Sequence, residues 1–239
     1  MPELAEVETT KRDLKKILIG KRICKVEVFL DKIVYNKKDE FIKSSEGQMV
    51  LDVKRRAKWL LFELDSNYII IHFRMEGRFY LLPLNEKRDK HDYVIFYFDD
   101  FSLHFNDPRL FGKMEVIKKD DLEKFFLDKK LGLEYTDSNL TPEYLKGKFK
   151  THHTDIKKML LDQSFVTGIG NIYADEILFL AKINPYTRAM DLNDDSIKNI
   201  IKYTRIVLED AIKAGGTTIR SYSSVNGIHG MFQQNLNVH

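Results

Sequence analysis

The sequence predicts an α+β protein: a helix at the N-terminus, a β domain after it, and a helical domain last. Two observations carry this. Hydrophobic spacing is helical at the start, breaks into short runs between residues 22 and 117, and becomes helical again from about Asp120. The short runs number eight, are rich in β-branched and aromatic residues, and are split by turn residues, which is the pattern of an antiparallel sandwich or barrel.

The first helix follows from Leu4, Val7, Leu14, Ile17 and Leu18, which fall roughly on one face, with Gly20 able to end it. Pro2 suits a helix start, where its missing N–H would have no partner. Glu3 and Glu6 stand in the first turn, where the helix dipole favours acids. Strands are predicted at 22–30, 49–53, 59–64, 68–73, 79–82, 93–98, 103–105 and 114–117, with Asp65-Ser66-Asn67 and Asp99-Asp100 among the turns. The stretch 135–141 is polar and stops before Pro142, which places a linker at 135–147 between a 1–134 β domain and a 148–239 helical domain. Helices are expected around 156–161 and 172–180. A longer one follows from Ile197, Ile200, Ile201, Thr204, Val207, Leu208, Ala211 and Ile212, stopped by Gly215-Gly216. The polar tail from Thr217 reads as loop.

Composition bounds the function. No run approaches 18 apolar residues, so no transmembrane helix is expected. The start MPELAEVETT has acids where a signal peptide needs a basic region and an apolar core, so a cytosolic protein is expected. The one cysteine, Cys24, allows no internal disulfide and no CxxC metal site, and reads as a free buried thiol. A net charge of +3 is too mild to indicate nucleic-acid binding by itself, so placement matters more. Lys54, Arg55, Arg56 and Lys58 form one cluster, and Arg74, Arg78, Arg109 and Lys113 fall at strand ends and turns.

Four signals carry chemistry, each with an ordinary structural reading beside it. Met1-Pro2-Glu3 permits loss of the initiator Met, which exposes a secondary amine. An α-amino group titrates near pH ~8, so a useful fraction is a free nucleophile that can form an iminium. Glu3 could serve as general acid. The ordinary reading is a helix start. Thr167-Gly168-Ile169-Gly170-Asn171 is a Gly-rich turn entering a helix, which offers N–H groups to an anion such as phosphate; the ordinary reading is a tight turn between helices. Lys58, beside Arg55 and Arg56 at a strand start, has a setting that can lower its pKa and bring it to phosphate; the ordinary reading is a basic strand edge. Met75, Arg109 and Phe111 sit in turn-like contexts, where exposed side chains can wedge into DNA and fill the gap left by an extruded base; the ordinary reading is core contact under a loop.

Taken together, MPELAEVET, RRAKWLLFEL, IIIHFRMEGRF, FNDPRLFGKMEV, MLLDQSFVTGIGNIYADEILFLAKINP and AIKAGGTTIRSYSSVNG resemble the bacterial formamidopyrimidine-DNA glycosylase family, bifunctional glycosylases and AP lyases. The resemblance runs the length of the chain. Its PEL start and GIGNIYADE point to the oxidised-purine branch, since the related endonuclease VIII branch usually starts PEG. It implies an eight-stranded sandwich and a helix–two-turn–helix domain acting on damaged double-stranded DNA as a monomer, in a bacterial cytoplasm at the nucleoid. Pro2 would attack C1′ of the damaged nucleotide, Glu3 would assist base departure and ring opening, and Glu6 would support the pocket. Lys58 would contact flanking phosphates and support β,δ-elimination. His72 and Asn171 would bind phosphates around the lesion, and Lys157 and Gly170 would also bind DNA. Met75, Arg109 and Phe111 would fill the duplex, with Arg109 facing the orphaned cytosine. The loop 217–224, with Thr218, Arg220, Ser221 and Tyr222, would close over the flipped base, and Glu76 would line that pocket.

The sequence departs from the family in three places. Ala5 and Leu133 stand where proline is usual. The family also continues past LNVH-like residues into a four-cysteine zinc finger that grips DNA, whereas this sequence, with one cysteine, is expected to form no such zinc site and to need no cofactor. Truncation and natural variation both fit. Two other functions stay open: a catalytically impaired damaged-DNA-binding protein that has lost the finger or keeps Met1, and an endonuclease VIII-like glycosylase for oxidised pyrimidines. Generic RNA binding fits poorly, as no RNA-binding motif is visible.

Overall fold

Helix α1 (Leu4–Leu18) forms where the sequence places it, and it serves two cores at once. The computed structural model describes residues 1–150, 152–217 and 236–238. Val7, Leu14 and Leu18 pack into the core of the β domain, whereas Leu4 and Ala5 pack into the core of the helical domain. All five are fully buried.

The eight predicted runs are eight strands: β1 (Lys25–Val28), β2 (Val50–Arg56), β3 (Trp59–Leu64), β4 (Asn67–His72), β5 (Arg78–Leu82), β6 (Asp92–Tyr97), β7 (Ser102–Asn106) and β8 (Lys113–Lys118). They form two antiparallel four-stranded sheets, in the orders β1-β6-β7-β5 and β2-β3-β4-β8. Aromatic side chains join the sheets. Phe62 on β3 lies 5.7 Å from Phe79 on β5 and 6.2 Å from Phe96 on β6, centroid to centroid. Such offset pairs add stability beyond the area they bury.

Three features depart from the sequence reading. The 22–30 run shortens to β1, because Arg22 and Ile23 pair instead with Met49 and Gln48. A helix, α2 (Lys38–Ser45), lies between β1 and β2. Only Phe41 and Ser45 on it are buried, too narrow a face to leave a periodic signal. Cys24, expected to be buried, is exposed. Its neighbour Ile23 takes the core position, and the Cys24 thiol turns outward to donate to Asp99 at 3.1 Å.

After β8 the chain is helical: α3 (Leu122–Asp128), α4 (Pro142–Phe149), α5 (Ile156–Leu161), α6 (Asn171–Ala181) and α7 (Asp194–Lys213). All eight residues that predict the longest helix are buried on α7. Helix α4 begins inside the 135–147 stretch. Thr141 caps it by accepting from the Tyr144 N–H, and Pro142 occupies its first turn. The residues before it are held as well: Tyr135 and Leu140 are buried, and Arg205 of α7 donates to the carbonyls of Tyr135, Asp137 and Leu140. Among the described residues no helix is long and apolar enough to cross a membrane.

Candidate active site

Where the N-terminus of α1 meets that of α6, the Glu3 carboxylate accepts from the N–H groups of Gly170 (2.6 Å), Ile172 (3.0 Å) and Tyr173 (3.4 Å). The Gly-rich turn therefore does receive an anion at a helix N-terminus, but that anion is the protein's own carboxylate. This corrects the expectation for Gly170, whose N–H is engaged by Glu3 instead of facing phosphate. Gly170 has no alternative in this packing: a Cβ there would lie 2.3 Å from the Glu3 side chain. The turn is held further by Gln163, which accepts from the Gly168 N–H and donates to the Ile169 carbonyl. Leu4 N–H donates to the Gly168 carbonyl at 3.0 Å.

Glu6 sits one turn deeper. It accepts from the Glu3 N–H at 2.8 Å, the Tyr173 hydroxyl at 2.6 Å, and both the N–H and hydroxyl of Thr217. It thereby ties the start of α1 to α6 and to the chain leaving α7. Gly216, at φ +81, lets that chain pass, since a Cβ would lie 2.9 Å from the Glu6 carboxylate. Lys58 is also buried, and its ammonium donates to the Ile169 carbonyl at 2.8 Å.

Burial sets the electrostatics. It raises the Glu3 pKa to about 7, opposed by the Lys58 charge and by the α6 N–H groups and reinforced by Glu6. It lowers the Lys58 pKa, opposed by Glu3 and Glu6. A carboxyl that titrates near neutrality, with an amine depressed by the same environment, suits proton transfer.

Pro2 is buried directly before this network, and Met1 is 47% exposed. Met1 lines a pocket of about 380 Å³ with Tyr35, Arg74, Met75, Phe111 and Lys113. Met75 and Phe111 come together here, both exposed. Arg109 lies over the Phe111 ring at 5.2 Å and 4.0 Å from Glu76, so Glu76 stands beside the wedge loops. The buried Asp107 carboxylate fixes the second loop by accepting from the Arg109 and Gly112 N–H groups. Ala57, Arg74 and Leu110 have φ of 53, 59 and 61°, a left-handed conformation that is costly for residues other than glycine. They immediately precede Lys58, Met75 and Phe111. Strain of this kind persists where the surroundings over-determine it, and it clusters at functional loops.

The His72 Nδ1 accepts from the Arg74 N–H at 3.0 Å, and the ring stands edge-on to Trp59 at 4.6 Å. Burial lowers its pKa to about 3, helped by Arg74, Lys58 and Lys129. His72 is therefore neutral at physiological pH, with its Nε2–H left to donate outward.

The remaining predicted residues are less gathered. Asn171 is exposed at the first turn of α6. Lys157 is neutralised by Asp175 at 2.7 Å. Arg55 and Arg56, expected as part of a basic patch, instead tie α1 and β2 to the segment after α3: Arg55 binds Glu8 and Glu134, and Arg56 binds Glu134 and the Gly132 carbonyl. Thr218, Arg220, Ser221 and Tyr222 lie outside the described residues. Sequence reasoning missed Tyr173, Gln163 and Glu134. Tyr173 lies within the GIGNIYADE motif, but only the fold reveals that its hydroxyl reaches Glu6. Among the described residues no three His, Cys, Asp or Glu side chains cluster as metal ligands.

Comparison with known proteins agrees with this arrangement. The family model for the formamidopyrimidine-DNA glycosylase N-terminal domain matches residues 1–114, and that for the formamidopyrimidine-DNA glycosylase H2TH domain matches residues 131–223. The formamidopyrimidine-DNA glycosylase of Rickettsia conorii is 43% identical over the whole chain, which spans 88% of that protein. The enzyme of the same name from Carboxydothermus hydrogenoformans is 41% identical with the same coverage. A Lactococcus lactis Fpg variant solved with Fapy-dG-containing DNA superimposes with a TM-score of 0.95 at 37% identity, over 98% of this chain and 87% of that one. The wild-type Lactococcus lactis protein, solved with DNA containing an oxidised pyrimidine, gives 0.93 at the same identity, over 98% and 86%. With matches of this extent, the chain belongs to the formamidopyrimidine-DNA glycosylase family.

Proposed function

We propose that this chain is a base-excision repair DNA glycosylase and AP lyase that removes oxidised purines, 8-oxoguanine and formamidopyrimidines, through an N-terminal proline Schiff base. With Met1 in place the Pro2 nitrogen is an amide. Loss of Met1 leaves a secondary amine, which attacks C1′ of the damaged nucleotide as the bond to the base breaks. Glu3, protonated for a useful fraction of the time near pH 7, gives its proton to the departing base or the opening sugar ring. The resulting iminium acidifies C2′, and β- then δ-elimination release the two phosphates that flank the sugar. Lys58 supports those steps from beside Glu3. His72 and Asn171 hold phosphates, while Met75, Arg109 and Phe111 occupy the duplex once the base has left it. The chain works as a monomer and uses its own side chains.

The observation that supports this reading best is the buried junction at Glu3. Two helix N-termini, a near-neutral carboxyl and a lysine of lowered pKa lie directly behind Pro2, next to a pocket edged by Met75 and Phe111. The test is borohydride trapping on duplex DNA carrying one 8-oxoguanine opposite cytosine, with the intact mass recorded first. A covalent adduct on protein lacking Met1 is expected. Absence of an adduct on such protein would sink the Schiff-base reading and favour a binding protein without turnover. A second reading, action on oxidised pyrimidines, is favoured by the Lactococcus lactis complex with such DNA. Competition between 8-oxoguanine and thymine glycol duplexes separates the two.

A further inference from the structure

The pocket at the chain's start is lined by Met1, Arg74, Met75 and Phe111, and also by Tyr35 and Lys113, which are absent from the sequence-predicted site. Tyr35 is 55% exposed, yet its backbone is fixed. Its N–H donates to the Met114 carbonyl at 2.9 Å, and Val34 before it bridges to Met114. Asn36 after it exchanges two side-chain hydrogen bonds with Val116 on β8. Three consecutive anchored residues therefore fix the backbone that presents the ring to solvent, so no backbone ordering is added when the ring meets a ligand.

The Lys113 ammonium lies 5.7 Å from the Tyr35 ring centroid and donates to the Lys32 carbonyl. Among the described residues no carboxylate lies within ion-pair distance of it. That sets it apart from Arg55, Arg56 and Lys157, all of which are neutralised by acids. An uncompensated cation over a half-exposed aromatic ring, in the same pocket as the wedge side chains, matches an anionic ligand with a small apolar face. The sugar–phosphate backbone of DNA is such a ligand.

We propose that Tyr35 and Lys113 form a subsite for the sugar–phosphate of the nucleotide beside the extruded one, an inference that rests on the reading above. The Tyr35 ring packs on the deoxyribose and Lys113 pairs with its phosphate. The contact reads no base edge, so it strengthens binding without adding sequence preference.

The test measures affinity of the full chain, freed of Met1, for a duplex holding a tetrahydrofuran abasic analogue and for undamaged duplex, across a salt series. Tyr35→Ala should weaken binding to the abasic duplex about tenfold, and Tyr35→Phe should stay within about twofold of wild type, because the ring and not the hydroxyl makes the contact. Lys113→Met, which keeps the stem, should reduce the salt slope by about one. Unchanged melting temperatures show that the variants fold. Should Tyr35→Ala lower that temperature, Lys113→Met carries the decision alone. Affinity within about twofold for Tyr35→Ala together with an unaltered slope for Lys113→Met would overturn the subsite. If wild type itself neither prefers the abasic duplex nor traps with borohydride, the repair reading falls, and the subsite with it.

Discussion

Replacing Glu3 by Gln should reverse part of the protein's dependence on pH. In the folded chain the Glu3 carboxyl titrates at about 7, against an ordinary value of 4.5. Between those values the folded state holds a proton that the unfolded state has lost, so rising pH works against folding across this window. At about 1.36 kcal/mol per pH unit, ionised Glu3 destabilises the fold by about 3 kcal/mol once the pH exceeds 7. Gln cannot ionise, and the hydrogen bonds it loses at the α6 N-terminus shift stability by an amount that does not vary with pH. Lys58 adds to the effect in the same direction. Without the Glu3 charge its own depressed pKa falls further, which favours the folded variant as pH rises. The stability difference, variant minus wild type, should therefore climb by about 3 kcal/mol from pH 4.5 to 8.5. For a chain of this length that corresponds to roughly 6–12 °C in melting temperature. Thermal unfolding by circular dichroism in matched buffers reads it directly. Parallel curves for the two proteins would refute the buried, proton-holding carboxyl. The same variant should lose excision of 8-oxoguanine while still trapping on a preformed abasic site, where no base has to leave.

Three further outcomes follow from neighbouring contacts. Gly170→Ala places a methyl group where the Glu3 carboxyl now sits, so single-turnover base excision should fall by at least tenfold with α6 intact by circular dichroism. Tyr173→Phe removes the hydroxyl that donates to buried Glu6 at 2.6 Å. A loss of about 1–3 kcal/mol is expected in denaturant unfolding, since the other donors to Glu6 stay in place. Glu134→Ala leaves the largely buried Arg55 and the half-buried Arg56 short of their shared partner and should cost about 3 kcal/mol. That loss should shrink as pH falls far enough to protonate Glu134 in wild type, whose carboxyl the two arginines and the Ala57 N–H hold below its ordinary value despite burial. Melting temperature against pH checks both parts.

Residue type and spacing made most of the architecture legible. The eight strands alternate or run apolar over lengths typical of a half-buried sheet, and the apolar face of α7 is wide enough that every position named from periodicity is buried. What stayed hidden was held by few residues or by distant ones. Helix α2 buries only Phe41 and Ser45, and α4 is announced by Thr141 and Pro142, which read equally well as a break. In the site, Pro2, Glu3, Lys58, Met75 and Phe111 were visible as motif residues, yet their charge relations were not. Local sequence presents Arg55 and Arg56 as exposed cations. Their partner Glu134 lies 78 residues beyond Arg56, so the pairing exists only once the chain has folded back on β2. The Gly-rich turn was legible as an anion site, and the occupant, Glu3, lies 167 residues before Gly170.

That last contact fixes the start of α1 at the domain junction. A chain terminus ordinarily frays, because few contacts hold its first residues. Here the first turn of α1 is shared. Leu4 and Ala5 are buried among the helices, Val7 and Leu14 within the sandwich core, Glu3 under the N-terminus of α6, and Glu6 between Tyr173 and Thr217. Glu3, which follows Pro2, is thus held by contacts from both domains. The Glu8–Arg55–Glu134–Arg56 network adds a further tie from α1 to β2 and the segment after α3. In the proposed mechanism, a Pro2 amine freed of Met1 would be less basic than lysine. Burying the next residues between two cores supplies the rigidity that a terminus lacks. Burial outweighs the opposing Lys58 charge and α6 N–H groups, and the net result is a Glu3 carboxyl that both holds and releases a proton near pH 7.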